Sequence, residues 1–156
     1  MNLKQDCLAM LIREASNQDI DQLVAIEELC YDSPWPREAF EEEIERGDIG
    51  IGLVAEEEGL VVGFLTGMAV INEFNLHNIA VHPDFRGQGI GRNLIEAMES
   101  ICRREGYHHI LLEVREDNEV ARSFYRVMGF IPSGVRKDYY GPGMDANMYE
   151  KNLGSE

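Results

Sequence analysis

The residues with the clearest chemical potential are Arg86-Gly87-Gln88-Gly89-Ile90-Gly91. Glycines let consecutive backbone N–H groups turn toward one point with no Cβ in the way, and a helix starting at Ile90 adds its positive N-terminal end. That combination is an anion cradle, and a pyrophosphate fits it. Two other glycine loops do not match, because the spacing is not G-x-G-x-x-G and no Lys-Ser/Thr follows. Dinucleotides and nucleoside triphosphates are thereby disfavoured. The glycines alone suit a plain strand-to-helix turn equally well. The whole string from Asn78 to Arg92, reading strand, turn, glycine loop and helix, favours the cradle.

The elements that must hold this loop follow from the hydropathy pattern. Leu8 to Arg13 reads as a strand, and Ser16 or Asn17 caps a helix with Ile20, Leu23, Val24, Ile26 and Leu29 at helical spacing. Pro34 and Pro36 break the chain, and Pro36 starts a second helix running to Arg46, with Gly47 as its stop. Ile49 to Glu56 and Leu60 to Ile71 form a hairpin about Glu57-Glu58-Gly59, and Asn75 to Val81 is a further strand. Leu94, Ile95, Met98, Ile101 and Cys102 then recur at helical spacing up to Gly106. His109 to Arg115 alternates as a strand, Asn118 to Met128 is helical, and a last hairpin follows Gly129-Phe130. The expected class is α/β (α+β): a mixed, mostly antiparallel sheet of six or seven strands flanked by about four helices. Residues 1–156 show no repeat and no linker, so a single domain is expected.

Bulk properties narrow the partners. With 156 residues the chain can bury about two-thirds of its unfolded surface. No run approaches the roughly 18 apolar residues of a membrane helix, and Cys7 to Ile12 is too short for a signal-peptide core, so a cytoplasmic protein without a membrane partner is expected. A formal charge of −15 argues against nucleic acid, whose phosphates need a basic surface. The acid is concentrated between Glu27 and Glu58, with twelve acidic and two basic residues. That run is either a solvated face or a surface attracting a cationic acceptor. Cys7, Cys30 and Cys102 lack metal or redox spacing and read as reduced packing residues. His77, His82, His108 and His109 have no ligand spacing either, so no metal is expected.

Arg86-x-x-Gly89-x-Gly91 resembles the acetyl-CoA pyrophosphate motif of the GNAT superfamily of N-acetyltransferases. The resemblance extends to Asn78-Ile79-Ala80-Val81, to Leu112-Glu113-Val114-Arg115 with Asn118, to Ala121 through Tyr125, to Met128-Gly129-Phe130 and to Pro34-Trp35. It covers nearly the whole chain and implies the GNAT fold with acetyl-CoA as co-substrate. Ile79, Ala80 and Val81 would lie on the splayed fourth strand beside the pantetheine arm. Arg86, Gly87, Gln88, Gly89, Ile90, Gly91 and Arg92 would hold the pyrophosphate, and Asn118 would contact CoA. The resemblance further implies Glu113 as general base and Tyr125 as general acid, with Trp35, Tyr139 and Tyr140 shaping the acceptor groove.

Those roles are chemically sound. An amine arriving as an ammonium must lose a proton before it attacks a thioester, and the departing thiolate leaves more readily when a phenol donates to it. Spacing alone gives a different reading: Glu113 shares a strand face with Arg115 as an exposed ion pair, and Tyr125 adjoins a helical stripe of Val120, Phe124, Val127 and Met128 as a core-edge aromatic. Within the superfamily the match is to the branch acting on the N-terminal alanine of a small-subunit ribosomal protein, which implies a basic protein N-terminus as partner. Tyr140-Gly141-Pro142-Gly143-Met144-Asp145-Ala146 departs from that branch, and another N-terminus, a lysine or a small amine is the alternative acceptor. A non-catalytic acyl-CoA-binding module and an acidic interaction domain are the readings from other classes.

Overall fold

The structure, a computed structural model, describes residues 10–154. Strand β1 (Met10–Glu14) leads through a 3-10 turn into helix α1 (Ile20–Cys30), followed by α2 (Arg37–Ile44). Strands β2 (Gly50–Glu57), β3 (Leu60–Val70) and β4 (Glu73–Val81) come next. Helix α3 (Ile90–Glu105), strand β5 (His109–Arg115), helix α4 (Glu119–Val127) and strands β6 (Ile131–Arg136) and β7 (Ala146–Asn152) complete the order. This is the sequence of elements expected, on a seven-stranded sheet ordered β1-β2-β3-β4-β5-β7-β6.

Among the described residues only β4 and β5 run parallel, and helix α3 supplies the crossover that a parallel pair needs. The β2–β3 hairpin closes on Glu58 and Gly59, both at positive φ (52° and 86°), a turn whose twist matches the flanking strands. Helix α3 ends where Gly106 takes a left-handed φ of 84°. Several boundaries move from the expected ones. Leu8 and Ala9, assigned to the first strand, lie outside the described residues, as does Cys7. α1 starts at Ile20 because Asn17–Asp19 winds as a 3-10 turn, and α2 stops at Ile44, ahead of a left-handed Gly47 (φ 69°). No helix of the described residues is long and apolar enough to cross a membrane.

The sheet carries apolar layers on both faces. Leu53, Leu65, Phe74, Leu112 and Tyr149 pack with Leu94, Ile95 and Met98 of α3 on one side. Val54, Phe64 and Ala80 pack with Leu23 and Ile26 of α1 and Phe40 of α2 on the other. Cys102 is buried in the first layer, where loss of hydration pushes its thiol up to about 12, consistent with an inert packing residue.

One irregularity decides the shape of the site. Thr66 pairs with Asn78 but Gly67 pairs with Leu76, leaving His77 as an extra residue in β4. A bulge of this kind bends its strand and increases the twist. Phe74 and Leu76 face the α3 layer before it, whereas Ala80 faces the α1 layer after it. Gly67 opposite is obligatory: a Cβ there would stand 2.4 Å from the Asn75 carbonyl oxygen and 2.5 Å from the Phe74 ring. Pairing of β4 with β5 stops at Asn75–Leu111, and the two strands separate beyond it.

At the opposite end of the sheet Arg13 donates to both oxygens of buried Asp19 at 2.8 and 3.0 Å, and Asp19 also accepts from the Ser16 N–H at 2.7 Å. The Arg13 guanidinium holds this carboxyl below its ordinary value despite burial. Asp19→Asn is expected to cost about 1–3 kcal/mol of stability at neutral pH. Because the folded value is depressed, the charged group's contribution is fully present above the unfolded value near 3.8 and is lost as pH falls through the lower folded value. Urea melts of both proteins between pH 7 and pH 2.5 should therefore converge at the acid end.

Candidate active site

Where β4 and β5 part, they leave a groove of about 620 Å3. One wall is the free edge of β4 at Ile79, Ala80 and Val81, whose backbone groups no longer have β5 as a partner. The mouth is the loop after β4. Its Gly87 and Gly89 have φ of 80° and 82°, a left-handed conformation that costs an L side chain roughly 1–2 kcal/mol. A Cβ at either position would meet no atom within 4 Å, so the groove side of the loop is open. Gly91 has another reason: a Cβ there would approach the Phe124 ring to 3.3 Å, and its absence lets α4 pack on the first turn of α3.

Helix α3 has neither a side-chain cap nor an acidic residue in its first turn, so its initial N–H groups are left for a ligand. Ile90 and Arg92 line the groove with them, whereas Gln88 is exposed and stands off the wall. Arg86 lines the groove too, but its guanidinium folds back to donate to the Val81 carbonyl at 3.2 Å and lies 3.2 Å from the Cys30 sulfur. Asn118 caps α4 by accepting from the Ala121 N–H at 3.1 Å, and it too borders the groove. These features suit an extended acyl carrier with an anionic end: a strand edge without a neighbouring strand for an amide-bearing arm and a helix N-terminus for a pyrophosphate.

Tyr125 projects from α4 into the same groove. It is 8% exposed and packs edge-on against Phe124 and Phe130. Its hydroxyl makes no hydrogen bond among the described residues. Burial, together with the nearby Tyr31 and Tyr140, pushes this phenol well above its ordinary range, so it keeps its proton.

Glu113 stands on the β5 face opposite Leu112 and Val114, away from the α3 layer. It does not line the groove. Its partner is Arg136 of β6 at 2.9 Å, reached across β7; Arg115, the partner expected from spacing, pairs with Asp117 at 3.3 Å instead. Arg136 also covers the Tyr139 ring at 5.4 Å and Arg115 covers Tyr140 at 5.8 Å, so two strand arginines and two tyrosines of the β6–β7 loop form a cationic and aromatic cluster beside Glu113. Burial, then the Glu113 charge, raises Tyr140. Tyr140 thus sits near both Glu113 and Tyr125. Trp35 is half-buried against Phe40 (5.3 Å between ring centres) and faces the α1 layer rather than the groove.

The sequence reading missed Cys30 and Tyr31, which close the groove from the end of α1. The Tyr31 hydroxyl donates to the Ile79 carbonyl at 2.6 Å, and the Cys30 thiol donates to that of Val81 at 3.4 Å. Cys30 is therefore part of the groove wall as well as a packing residue. His77, assigned no role, binds the buried Glu43 carboxylate at 3.0 Å. Burial alone would raise Glu43, but His77 and Arg46 outweigh it and hold the group low. No spacing rule marks any of these residues.

A seven-stranded sheet opened between two parallel strands, with a glycine loop and a bare helix N-terminus at the opening, defines an N-acetyltransferase of the GNAT fold. The chain belongs to the GNAT family: residues 20–130 match the Acetyltransferase (GNAT) family. It is an acetyl-CoA-dependent N-acetyltransferase. It is 30% identical over 129 residues to the [ribosomal protein bS18]-alanine N-acetyltransferase of Escherichia coli K12, covering 83% of this chain and 86% of that one. The crystal structure of the Escherichia coli ribosomal-protein-S18-alanine N-acetyltransferase superposes with a TM-score of 0.86 at 26% identity, covering 94% of this chain and 96% of the other. Ard1 from Thermoplasma volcanium gives 0.85 at 28% identity, covering 93% and 98%.

Proposed function

We propose that this enzyme moves the acetyl group of acetyl-CoA directly to the N-terminal α-amine of a protein, with the N-terminal alanine of a small-subunit ribosomal protein as the acceptor, in the cytoplasm. The observation that carries this reading is the β4–β5 split, which exposes a strand edge beside the glycine loop and has Tyr125 in one wall and Glu113 on the flanking strand. The names of the bS18-alanine relatives support the acceptor.

Acetyl-CoA supplies the activated acetyl group. The Gly87–Arg92 loop, including Gly89, Gly91 and the first N–H groups of α3, binds its pyrophosphate; Ile79 to Val81 align the arm, and Asn118 contacts it from the start of α4. Glu113, fixed by Arg136, takes a proton from the acceptor ammonium through water. Tyr125 donates its proton to the departing thiolate. Trp35 sets the α1–α2 loop, and Tyr139 and Tyr140 border the acceptor from the β6–β7 loop. The exposed acidic residues Asp32, Glu38 and Glu42 favour a basic peptide.

A base such as Glu113 suits an α-amine better than a lysine, since α-amines titrate at about 7.7–8.0 and lysines near ~10.4. The test is acetyl transfer, read by mass spectrometry, to three acceptors: a basic peptide beginning with alanine, its N-terminally blocked twin with a free lysine, and a polyamine. Acetylation confined to the free alanine terminus is expected. Modification of the blocked peptide or the polyamine alone would replace the α-amine with a side-chain or small amine as acceptor.

A further inference from the structure

Four carboxylates among the described residues are buried, and three of them face a cation: Asp19 faces Arg13, Glu43 faces Arg46 and His77, and Glu99 faces Lys151. Glu27 does not. At 2% exposure on α1, it accepts only from neutral donors: the Asn78 side-chain amide at 2.7 Å through one oxygen and the Trp35 backbone N–H at 2.9 Å through the other. Burial without a facing cation pushes this carboxyl above its ordinary value, against the two hydrogen bonds it accepts, so holding it here costs stability.

Its two partners lie on the two halves of the site. Asn78 follows the His77 bulge directly and belongs to the length of β4 that has lost β5; Trp35 lies in the loop between α1 and α2. The freed length of β4 is held from the α1–α2 side at four residues, with His77 on Glu43, Asn78 on Glu27, the Ile79 carbonyl on Tyr31 and the Val81 carbonyl on Cys30. Tyr31 belongs to the loop itself, whereas Glu27 is a group of α1 that bridges β4 to the loop through Asn78 and Trp35.

We infer that Glu27 is a positioning residue that sets the cofactor-facing edge of β4 against the α1–α2 loop, acting through Asn78 and Trp35. The inference rests on acetyl-CoA lying along Ile79 to Val81. Its test reads acetyl-CoA affinity, which does not depend on which amine is the acceptor, so a failed acceptor assignment leaves it standing.

Asn78→Asp puts two carboxylates face to face at pH 8, where both cannot remain charged at that distance. It is expected to weaken acetyl-CoA binding about tenfold by calorimetry, the equivalent of one charge-assisted hydrogen bond. Adding Glu27→Gln restores a donor opposite the new carboxylate while its carbonyl still accepts from Trp35, so the double variant should return to within about threefold of the parent. Glu27→Gln alone should bind nearly as the parent, since the Asn78 amide can turn over to present its oxygen. Glu99→Gln, a buried carboxylate in the α3 layer, controls for general loss of stability: it should lower the melting temperature without changing the Kd. Parental affinity in Asn78→Asp, no recovery in the double variant, or an equal loss in Glu99→Gln would each overturn the role.

Discussion

Tyr125→Phe is expected to lower kcat by roughly 10²–10³-fold while leaving the Kd for acetyl-CoA within about threefold. The hydroxyl faces the groove, has no hydrogen-bond partner among the described residues, and belongs to a ring otherwise held by Phe124 and Phe130. Removing it leaves the packing intact and no polar atom orphaned, so the melting temperature should hardly change. Burial has raised its pKa, so the phenol stays protonated throughout the working range and any loss of rate on the alkaline side has another origin. Steady-state kinetics beside calorimetry separate the two quantities. A kcat within twofold of the parent would remove Tyr125 from proton transfer and return it to the core.

Glu113→Gln is expected to lower kcat/KM for an N-terminal peptide by about 10²-fold at pH 7, with the deficit shrinking as pH rises past 8. The sign follows from the acceptor. Below its own pKa of about 7.7–8.0 an α-amine is charged and needs a base, whereas above it the attacking form is already present. Loss of the pair with Arg136 should cost little stability, because that guanidinium is half-exposed and can be hydrated. A deficit that stays constant from pH 7 to pH 9.5 would make Glu113 a binding group for the peptide rather than a base.

The glycine loop, α3 and the strand His109–Arg115 were legible because each rests on local rules: positive φ at glycine, a 3.6-residue apolar period closed by Gly106, and strict alternation. What escaped the sequence was set by pairing between distant residues. The bulge at His77 lies against Gly67, ten residues earlier, where a Cβ would meet the Phe74 ring, and no window along β4 contains that fact. Spacing gave Glu113 the neighbour two residues along its own strand, but the sheet order β5-β7-β6 brought Arg136 to it instead. Trp35 shows the same limit: two prolines fix it in a loop, and only the fold determines that the ring turns toward Phe40 while its backbone N–H reaches Glu27.

The sheet is open, so β1 and β6 each end it with a row of backbone groups that another strand could pair with. Strand β6 is exposed along its whole length and carries Ile131 and Val135, a composition that invites intermolecular stacking. Pro132 supplies no donor, and the register steps between Pro132 and Gly134, leaving Ser133 out of line. Arg136 closes the strand with a charge, and β1 on the far side carries Arg13 and Glu14. Among the described residues neither rim offers the long, flat, uncharged template on which fibrils grow, so the sheet can stay unclosed on its catalytic side while its edges discourage pairing with other copies.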